Sequence, residues 1–302
     1  MFNNQTKITF KEAKKKLMAM NLINNFLWNS ATEDEEDAKT IASIILSNVL
    51  NAKVEVMDVT IQKEFSGLDT IYHGIRMDAH IDRTRINNKA TATLYDIEVE
   101  DREADRKAIP KRLRFYSSIP DSKHLSSGED YRLLSDFVSI IILSYDPFLL
   151  GDMYYEVKMH LSTHPGYDYD DGRTFILLYA NGKPNFDDPD YGKKLQEMLK
   201  YIVSGEYSET NYDLTILDNI VSKIKSRPEV TVNLMKQWDR EMIMKREITE
   251  ETQQEYAIKQ IIFNRKHKIP DSETRQEFID NYDFDEDKIN ALFTEASKRL
   301  NP

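Results

Sequence analysis

Hydrophobic and polar residues alternate along three successive segments in the first third of the chain. The segments cover residues 54–62, 74–82 and 92–100, and each has apolar side chains at every second position. Because neighbouring side chains of a β-strand point to opposite faces, the alternation predicts three strands with one apolar and one polar face each. The polar link that contains Asn87 and Asn88 predicts a turn. The three segments together predict a meander.

Helical periods and longer apolar runs surround this meander. A helix is predicted over residues 33–50, where Thr32 and Glu35 have capping-box spacing, and a second follows from Arg102 to about Ser118, interrupted at Pro110. Three further strands are predicted at residues 137–145, 153–162 and 173–180. The first of them lacks polar alternation, which is typical of a central strand buried on both faces. This order predicts an α/β fold with a mixed central sheet flanked by helices.

The pattern changes after Asn181, where the loop NGKPNFDDPDYG begins. Beyond it the hydrophobic spacing is helical: segments 190–203 and 214–225, a long charged segment from Val230 to about Lys266, and two short helices around residues 282–285. We therefore predict a domain over 1–185 that folds without the rest, and an α-helical C-terminal region over 186–302. The acidic final helices favour contact with protein over DNA, and we expect them to support homo-oligomer formation.

The composition limits the class of protein. The chain has 52 acidic and 41 basic residues, for a net charge of -11, so any nucleic-acid surface has to be local. It contains no cysteine, which excludes disulfides and thiolate metal sites and agrees with a cytoplasmic location. The start of the chain is not expected to act as a signal peptide. No segment has the roughly 18 apolar residues of a membrane helix, so no membrane partner is expected.

Carboxylates collect on the polar faces of the second and third predicted strands. Asp78 and His80 share one such face, and Asp96, Glu98 and Glu100 share another. If the two strands pair around their polar link, Asp78 comes opposite Glu98, at a cross-strand distance that suits a bridging Mg²⁺. The alternative is a solvated sheet face with no function, on which His80 is simply exposed.

A basic segment follows these acidic strands directly. Between residues 106 and 114 the chain has five basic residues and no acidic one. We assign Arg106, Lys107, Lys111 and Arg112 to DNA-backbone binding, because cations beside a metal site can hold the phosphates that flank the reacting one. The alternative is a solvated helix face.

The order of these segments resembles the PD-(D/E)XK nuclease superfamily, and within it the Rpn family of recombination-promoting nucleases and transposases. The resemblance covers nearly the whole chain. It is carried by FKEAKKKLMAMNLINNFLW, GIRMDAHI, LYDIEVEDRE and KRLRFYSSIPDSKHLSSGEDYRLLSDFVSIIILSYDPF, in which the turns SGEDY and YDPF are the most distinctive pieces. It implies a restriction-endonuclease-like core and a Mg²⁺- or Mn²⁺-dependent DNA endonuclease linked to recombination or mobile elements.

The resemblance also implies roles for individual residues. Asp78 and Glu98 match the metal ligands, and Glu100 stands at the third motif position, which is usually Lys or Gln in relatives. Arg114 and Tyr116 match the Arg and Tyr of the following helix. In metal-assisted hydrolysis, Glu100 would orient or deprotonate the attacking water, and Arg114 would stabilise the developing phosphorane charge.

Glu100 also raises an alternative. A third acid in place of a cation or amide is found in some restriction enzymes, but it also fits a catalytically silent relative that keeps the fold as a DNA- or protein-binding module. Asn25 is a second departure, because relatives often have an acid at the matching place.

Overall fold

The computed structural model describes residues 7–65, 75–125, 128–282 and 284–300. Gly74, the predicted start of the second strand, and Asp283, in the predicted C-terminal turn, lie outside the described residues. By its internal contacts the chain divides into two compact units, one of residues 11–232 and one of residues 1–10 with 233–302. No described helix is both long enough and apolar enough to cross a membrane.

The larger unit contains a mixed sheet, which confirms the α/β prediction. Seven strands pair within the described residues: β1 Val54–Phe65, β2 Ile75–Ile86, β3 Lys89–Thr91, β4 Leu94–Glu100, β5 Phe137–Leu143, β6 Tyr154–Val157 and β7 Arg173–Tyr179. Their order across the sheet is β1-β2-β4-β5-β7-β6, and β3 pairs with β2. β1, β2 and β4 are successively antiparallel, as the meander predicts, whereas β4, β5 and β7 are parallel.

The third predicted strand, over residues 92–100, begins later than predicted, at Leu94 of β4, and β3 forms ahead of it within the predicted turn. Asn87 and Asn88 have positive φ angles of 49° and 66°, and Ile86 pairs with Lys89, so the two asparagines form the tight turn that the sequence predicts. After β3, the Thr93 N–H donates to the Thr91 hydroxyl instead of continuing the ladder. This local hydrogen bond interrupts the strand before β4 begins.

Helices lie against both the edge and the faces of the sheet. The helices of the larger unit are α1 Phe10–Ala19, α2 Asn25–Ala31, α3 Glu35–Val49, α4 Ile109–His124, α5 Pro189–Ser204 and α6 Tyr212–Ser226. Ser43 and Ser47 of α3 accept hydrogen bonds from the Val56 and Val54 N–H groups, so α3 satisfies donors along the open edge of β1. A 3₁₀ helix over Glu103–Ala108 leads into α4, which has Pro110 in its first turn, where proline is tolerated.

Helix α4 covers the face of the sheet that carries the candidate site. Ile109 and Leu113 of α4 pack with Ile141 and Leu143 of β5 and Leu177 of β7. Ile141 is in register with Glu98, and Leu143 with Glu100. Because residues in register on neighbouring strands point to the same face, α4 also lies over the carboxylates of β4.

The division of the chain differs from the predicted boundary near residue 185. Helices α5 and α6 belong to the same unit as the sheet, because they bury side chains in its core. Leu195, Leu199, Ile202, Leu217 and Ile224 are fully buried, and Ile23 donates a backbone hydrogen bond to the Ile202 carbonyl. Residues 186–232 are therefore part of the larger unit.

The smaller unit is helical, as predicted for the C-terminal region. The charged segment forms one helix, α7 Pro228–Lys266, of which the part from Asn233 belongs to this unit, and α8 Asp271–Tyr282 and α9 Glu286–Leu300 follow. Ala257, Ile261, Phe278, Ile289 and Phe293 form its apolar core. Homo-oligomer formation through these helices stays a prediction.

Candidate functional site

The paired strands β2 and β4 bring the predicted acidic residues to one face of the sheet. Ala79 pairs with Ile97, and His80 pairs with Asp96. The ladder ends at Ala79 and Ile97, and Asp78 and Glu98 are the next residues beyond its end on the two strands. Because side chains alternate along each strand, Asp78, Asp96 and Glu98 share a face, the common face that the sequence pattern predicts.

This face is buried at β4. The residue exposures of Asp96, Glu98 and Glu100 are 0%, 7% and 4%. The alternative of a solvated sheet face therefore does not hold for β4. His80, which was expected to be exposed, is also fully buried, with its Nε2 atom 3.2 Å from Asp82 Oδ1.

Asp96 is the most confined of the carboxylates. The Ser139 hydroxyl on β5 donates a long hydrogen bond of 3.4 Å to Asp96 Oδ2. Oδ1 is buried and has no hydrogen-bond partner among the described residues. Burial first, and then the charge of Asp78, raise the pKa of Asp96 well above its ordinary value. A buried carboxylate oxygen without a partner is costly, so this oxygen is available to a ligand.

Glu98 lies in the same repulsive environment. Burial, the charge of Asp96 and then the charge of Asp78 raise the pKa of Glu98 well above its ordinary value, and Arg112 opposes them. Asp78 therefore interacts electrostatically with Asp96 and Glu98 of β4. Acidic groups that disfavour one another's ionisation create a local negative potential, which a nearby cation would relieve.

Glu100 has a different environment, because each of its oxygens accepts a hydrogen bond. Arg112 Nη1 donates to Glu100 Oε2 at 2.8 Å, and the Arg102 backbone N–H donates to Glu100 Oε1 at 2.9 Å. Burial alone would raise the pKa of Glu100, but the hydrogen bonds from Arg112 and Arg102 outweigh it, and the pKa is lowered. A carboxylate held in this way is a weak base.

The helix α4 presents Arg112 and Tyr116 to the carboxylates, one turn apart. Arg112 Nη2 is 3.7 Å from Glu98 Oε2, and the Arg112 guanidinium carbon is 5.8 Å from the centre of the Tyr116 ring. Burial, followed by the charge of Glu98, raises the pKa of Tyr116. Arg114 is exposed, half a turn from Arg112, so the structure brings Arg112 and not Arg114 to the carboxylates.

The other residues assigned to DNA binding lie outside this cluster. Lys107 and Lys111 are exposed, and Arg106 is partly exposed with its Nη1 atom 3.4 Å from Glu103. Arg112 differs from these three, because its side chain pairs with Glu98 and Glu100 of the sheet. A DNA contact by any of them stays a prediction.

The donors of this face are of the kind that Mg²⁺ prefers, namely carboxylate oxygens. Among the described residues, no group of three or more His, Asp or Glu side chains is placed to hold a metal ion together. Mg²⁺, however, is commonly bound by one or two carboxylates, with water and substrate phosphate completing its shell. A cation held by Asp78 and Glu98 in that arrangement stays a prediction, and the unpartnered oxygen of Asp96 lies on the same face.

No family model, curated protein or solved structure matches the chain. Its own geometry therefore carries the functional argument. Sequence reasoning missed the part that two residues play in this site. It gave Asp96 no site role, and it assigned Arg112 to DNA binding. The signals were present in the alternation that places Asp96 beside Glu98 and in the four-residue spacing of Arg112 and Tyr116, which puts both on one helix face.

Proposed function

We propose that the chain is a Mg²⁺-dependent DNA endonuclease of the PD-(D/E)XK type, linked to recombination or mobile elements. The observation that carries the proposal is the buried group of carboxylates that β2 and β4 bring to one face. The element order supports it, because helix α3, the meander of β1, β2 and β4, helix α4 and strand β5 follow one another in the order that the sequence predicts.

In this proposal Asp78 and Glu98 hold the cation. When bound, Mg²⁺ would polarise the scissile phosphate and lower the pKa of a water ligand. Asp96 adds negative charge beside these ligands and increases the preference of the face for a cation. The exposed Lys107 and Lys111 contact the DNA backbone on either side of the reacting phosphate. Arg114, which is also exposed, is placed for a backbone contact of the same kind.

The role of Glu100 changes in the light of its contacts. As a general base, Glu100 would have to accept a proton from water, but Arg112 and the Arg102 N–H already stabilise its charged form. A carboxylate with a lowered pKa has little tendency to take up a proton near neutral pH. We therefore assign Glu100 to positioning instead of proton transfer.

DNA cleavage with and without the carboxylates tests the proposal. Purified protein is expected to nick or cut plasmid DNA with Mg²⁺ or Mn²⁺ and to stop when EDTA is added. Asp78→Asn and Glu98→Gln should each lower the cleavage rate by at least about 100-fold, because each removes a charged ligand of the cation. Asp58→Asn, at an exposed ion pair of β1 with Arg83, is the matched control and should cut like the wild type.

Wild-type protein that cuts no DNA with either cation would contradict the proposal, as would an Asp78→Asn variant with full activity.

The second candidate is a catalytically silent binding module, and the pairing of Arg112 with both Glu98 and Glu100 favours it, since these acids already have a cation. An inert wild type whose Glu100→Lys variant cuts would be a silenced nuclease. If both proteins are inert and bind no divalent ion, the chain is a binding module.

A further inference from the structure

The third motif position is occupied by an ion pair and not by a single side chain. Glu100 projects from β4 towards α4, and Arg112 Nη1 lies 2.8 Å from its Oε2 atom. Lysine, the residue common in relatives at this position, would carry its positive charge at the end of a longer side chain. Here position 100 has a shorter, acidic side chain, which forms an ion pair with an arginine from the helix. The positive end of this pair is the Arg112 guanidinium.

We propose that Glu100 is a positioning residue that holds the Arg112 guanidinium beside Glu98, and that Arg112 supplies the positive charge that lysine provides in the commoner motif. The inference rests on the proposed nuclease function. It assigns Arg112, a residue of α4, to the reaction at the scissile phosphate.

The contacts hold the pair in one arrangement. The Arg102 backbone N–H holds Glu100 Oε1, so Glu100 cannot rotate away without losing a hydrogen bond on each oxygen. Arg112 has its second contact at Glu98 Oε2, 3.7 Å away. The guanidinium therefore bridges Glu100, at the third motif position, and Glu98, a proposed metal ligand. The side chains of Glu100 and Arg112 are only 5% and 22% exposed, so solvent screens this pair less than a surface ion pair.

Arg112 keeps a donor for a substrate. Its Nε–H is buried and has no hydrogen-bond partner among the described residues. A guanidinium has five N–H donors in a planar fork that matches phosphate oxygens. A phosphate that enters beside Glu98 would give this donor the partner that it lacks. The negative charge that develops during phosphodiester hydrolysis would then be stabilised by Arg112.

Moving the positive charge from the helix to the strand tests the inference. With the full chain, kcat and KM for plasmid cleavage are measured for Arg112→Gln, Arg112→Lys and the double variant Glu100→Lys/Arg112→Gln. Arg112→Gln should lower kcat by about 100-fold, in the range for loss of one charge-stabilising donor, with KM changed by less than about threefold. The double variant should recover at least about tenfold of this loss, because a lysine at position 100 replaces the missing cation.

Recovery by the double variant separates this role from a structural one, since that variant also lacks the native ion pair. Arg83→Gln, which breaks an exposed Arg–Asp pair on β2, is the control and should leave kcat unchanged. Circular dichroism checks that each variant is folded, and Arg112→Lys, which keeps the charge, should retain more activity than Arg112→Gln.

An active wild type with a fully active Arg112→Gln variant would overturn the inference and leave the nuclease proposal standing. So would a folded double variant or a folded Arg112→Lys that is as slow as Arg112→Gln. A wild type without any cleavage would overturn both proposals, so the two failures are distinguishable.

Discussion

At the scale of single residues, buried acids dominate the energetics of the site. Asp96 and Glu98 lie under α4 with raised pKa values, whereas the pKa of Glu100 on the same strand is lowered by its cationic partners. Neighbouring carboxylates on one strand thus have opposite tendencies, because only Glu100 has short hydrogen bonds on both oxygens, one of them from a guanidinium. Without a bound cation, the ionised forms of Asp96 and Glu98 destabilise the fold.

This repulsion gives Asp96 a testable pH dependence. The pKa of Asp96 is higher in the folded than in the unfolded protein, so the folded state binds more protons at pH values above the ordinary value of 3.8. Stability is therefore lost as pH rises from that value towards the folded pKa. Asp96→Asn removes the loss and should unfold at a higher temperature than wild type in EDTA near neutral pH.

Thermal or urea unfolding measures the stability difference between Asp96→Asn and wild type. The range of about pH 5 to 8 is used, because buried carboxylates titrate there. The stability advantage of Asp96→Asn should grow with pH. Asp58→Asn, in an ion pair with Arg83 where the Asp58 side chain is 45% exposed, is the control and should show no such growth. An advantage that shrinks as pH rises, or a variant that is less stable throughout, would show that the Asp96 charge is compensated in the fold.

At the scale of elements, the sequence predicts where strands lie better than what covers them. Alternation places Asp78 and Glu98 on one face, and the unbroken apolar run of β5 indicates its central position, because both features depend only on local spacing. Burial of the acidic face depends on α4 packing over it, which local spacing does not determine. The same limit explains Arg112 and Arg114, since the helical period does not specify which side of α4 meets the sheet.

The burial of helices α5 and α6 in the core gives a testable prediction about fragments of the chain. A fragment of residues 1–185 lacks both helices and would expose apolar surface that is fully buried in the chain, including Leu199 and Leu217. We expect this fragment to be insoluble or to melt without cooperativity, since each buried leucine is worth about 1.5–3 kcal/mol. A fragment of residues 11–232 retains both helices and should melt cooperatively, as measured by circular dichroism. Cooperative melting of 1–185 would contradict the assignment of α5 and α6 to the core.

At the scale of the whole molecule, the chain combines a sheet unit that carries the candidate site with a helical unit that has its own core. The acidic balance of the chain, with a net charge of -11, makes contact with DNA depend on local cations. Lys107 and Lys111, which are exposed, are the cations that we propose for this contact. DNA binding should therefore weaken steeply with salt, as expected when a few phosphate contacts supply the affinity.

Direct binding of Mn²⁺ is the measurement that most directly tests whether the acidic face of β2 and β4 is a cation site. Titration of the metal-free protein, followed by calorimetry or by the electron paramagnetic resonance of free Mn²⁺, requires no DNA and no catalysis. Wild type and the Asp58→Asn control should bind Mn²⁺ alike, and Asp78→Asn and Glu98→Gln should each weaken the binding at least about tenfold, since each loses a charged ligand. Equal Mn²⁺ binding by all four proteins, or none by the wild type, would contradict a cation site at Asp78 and Glu98.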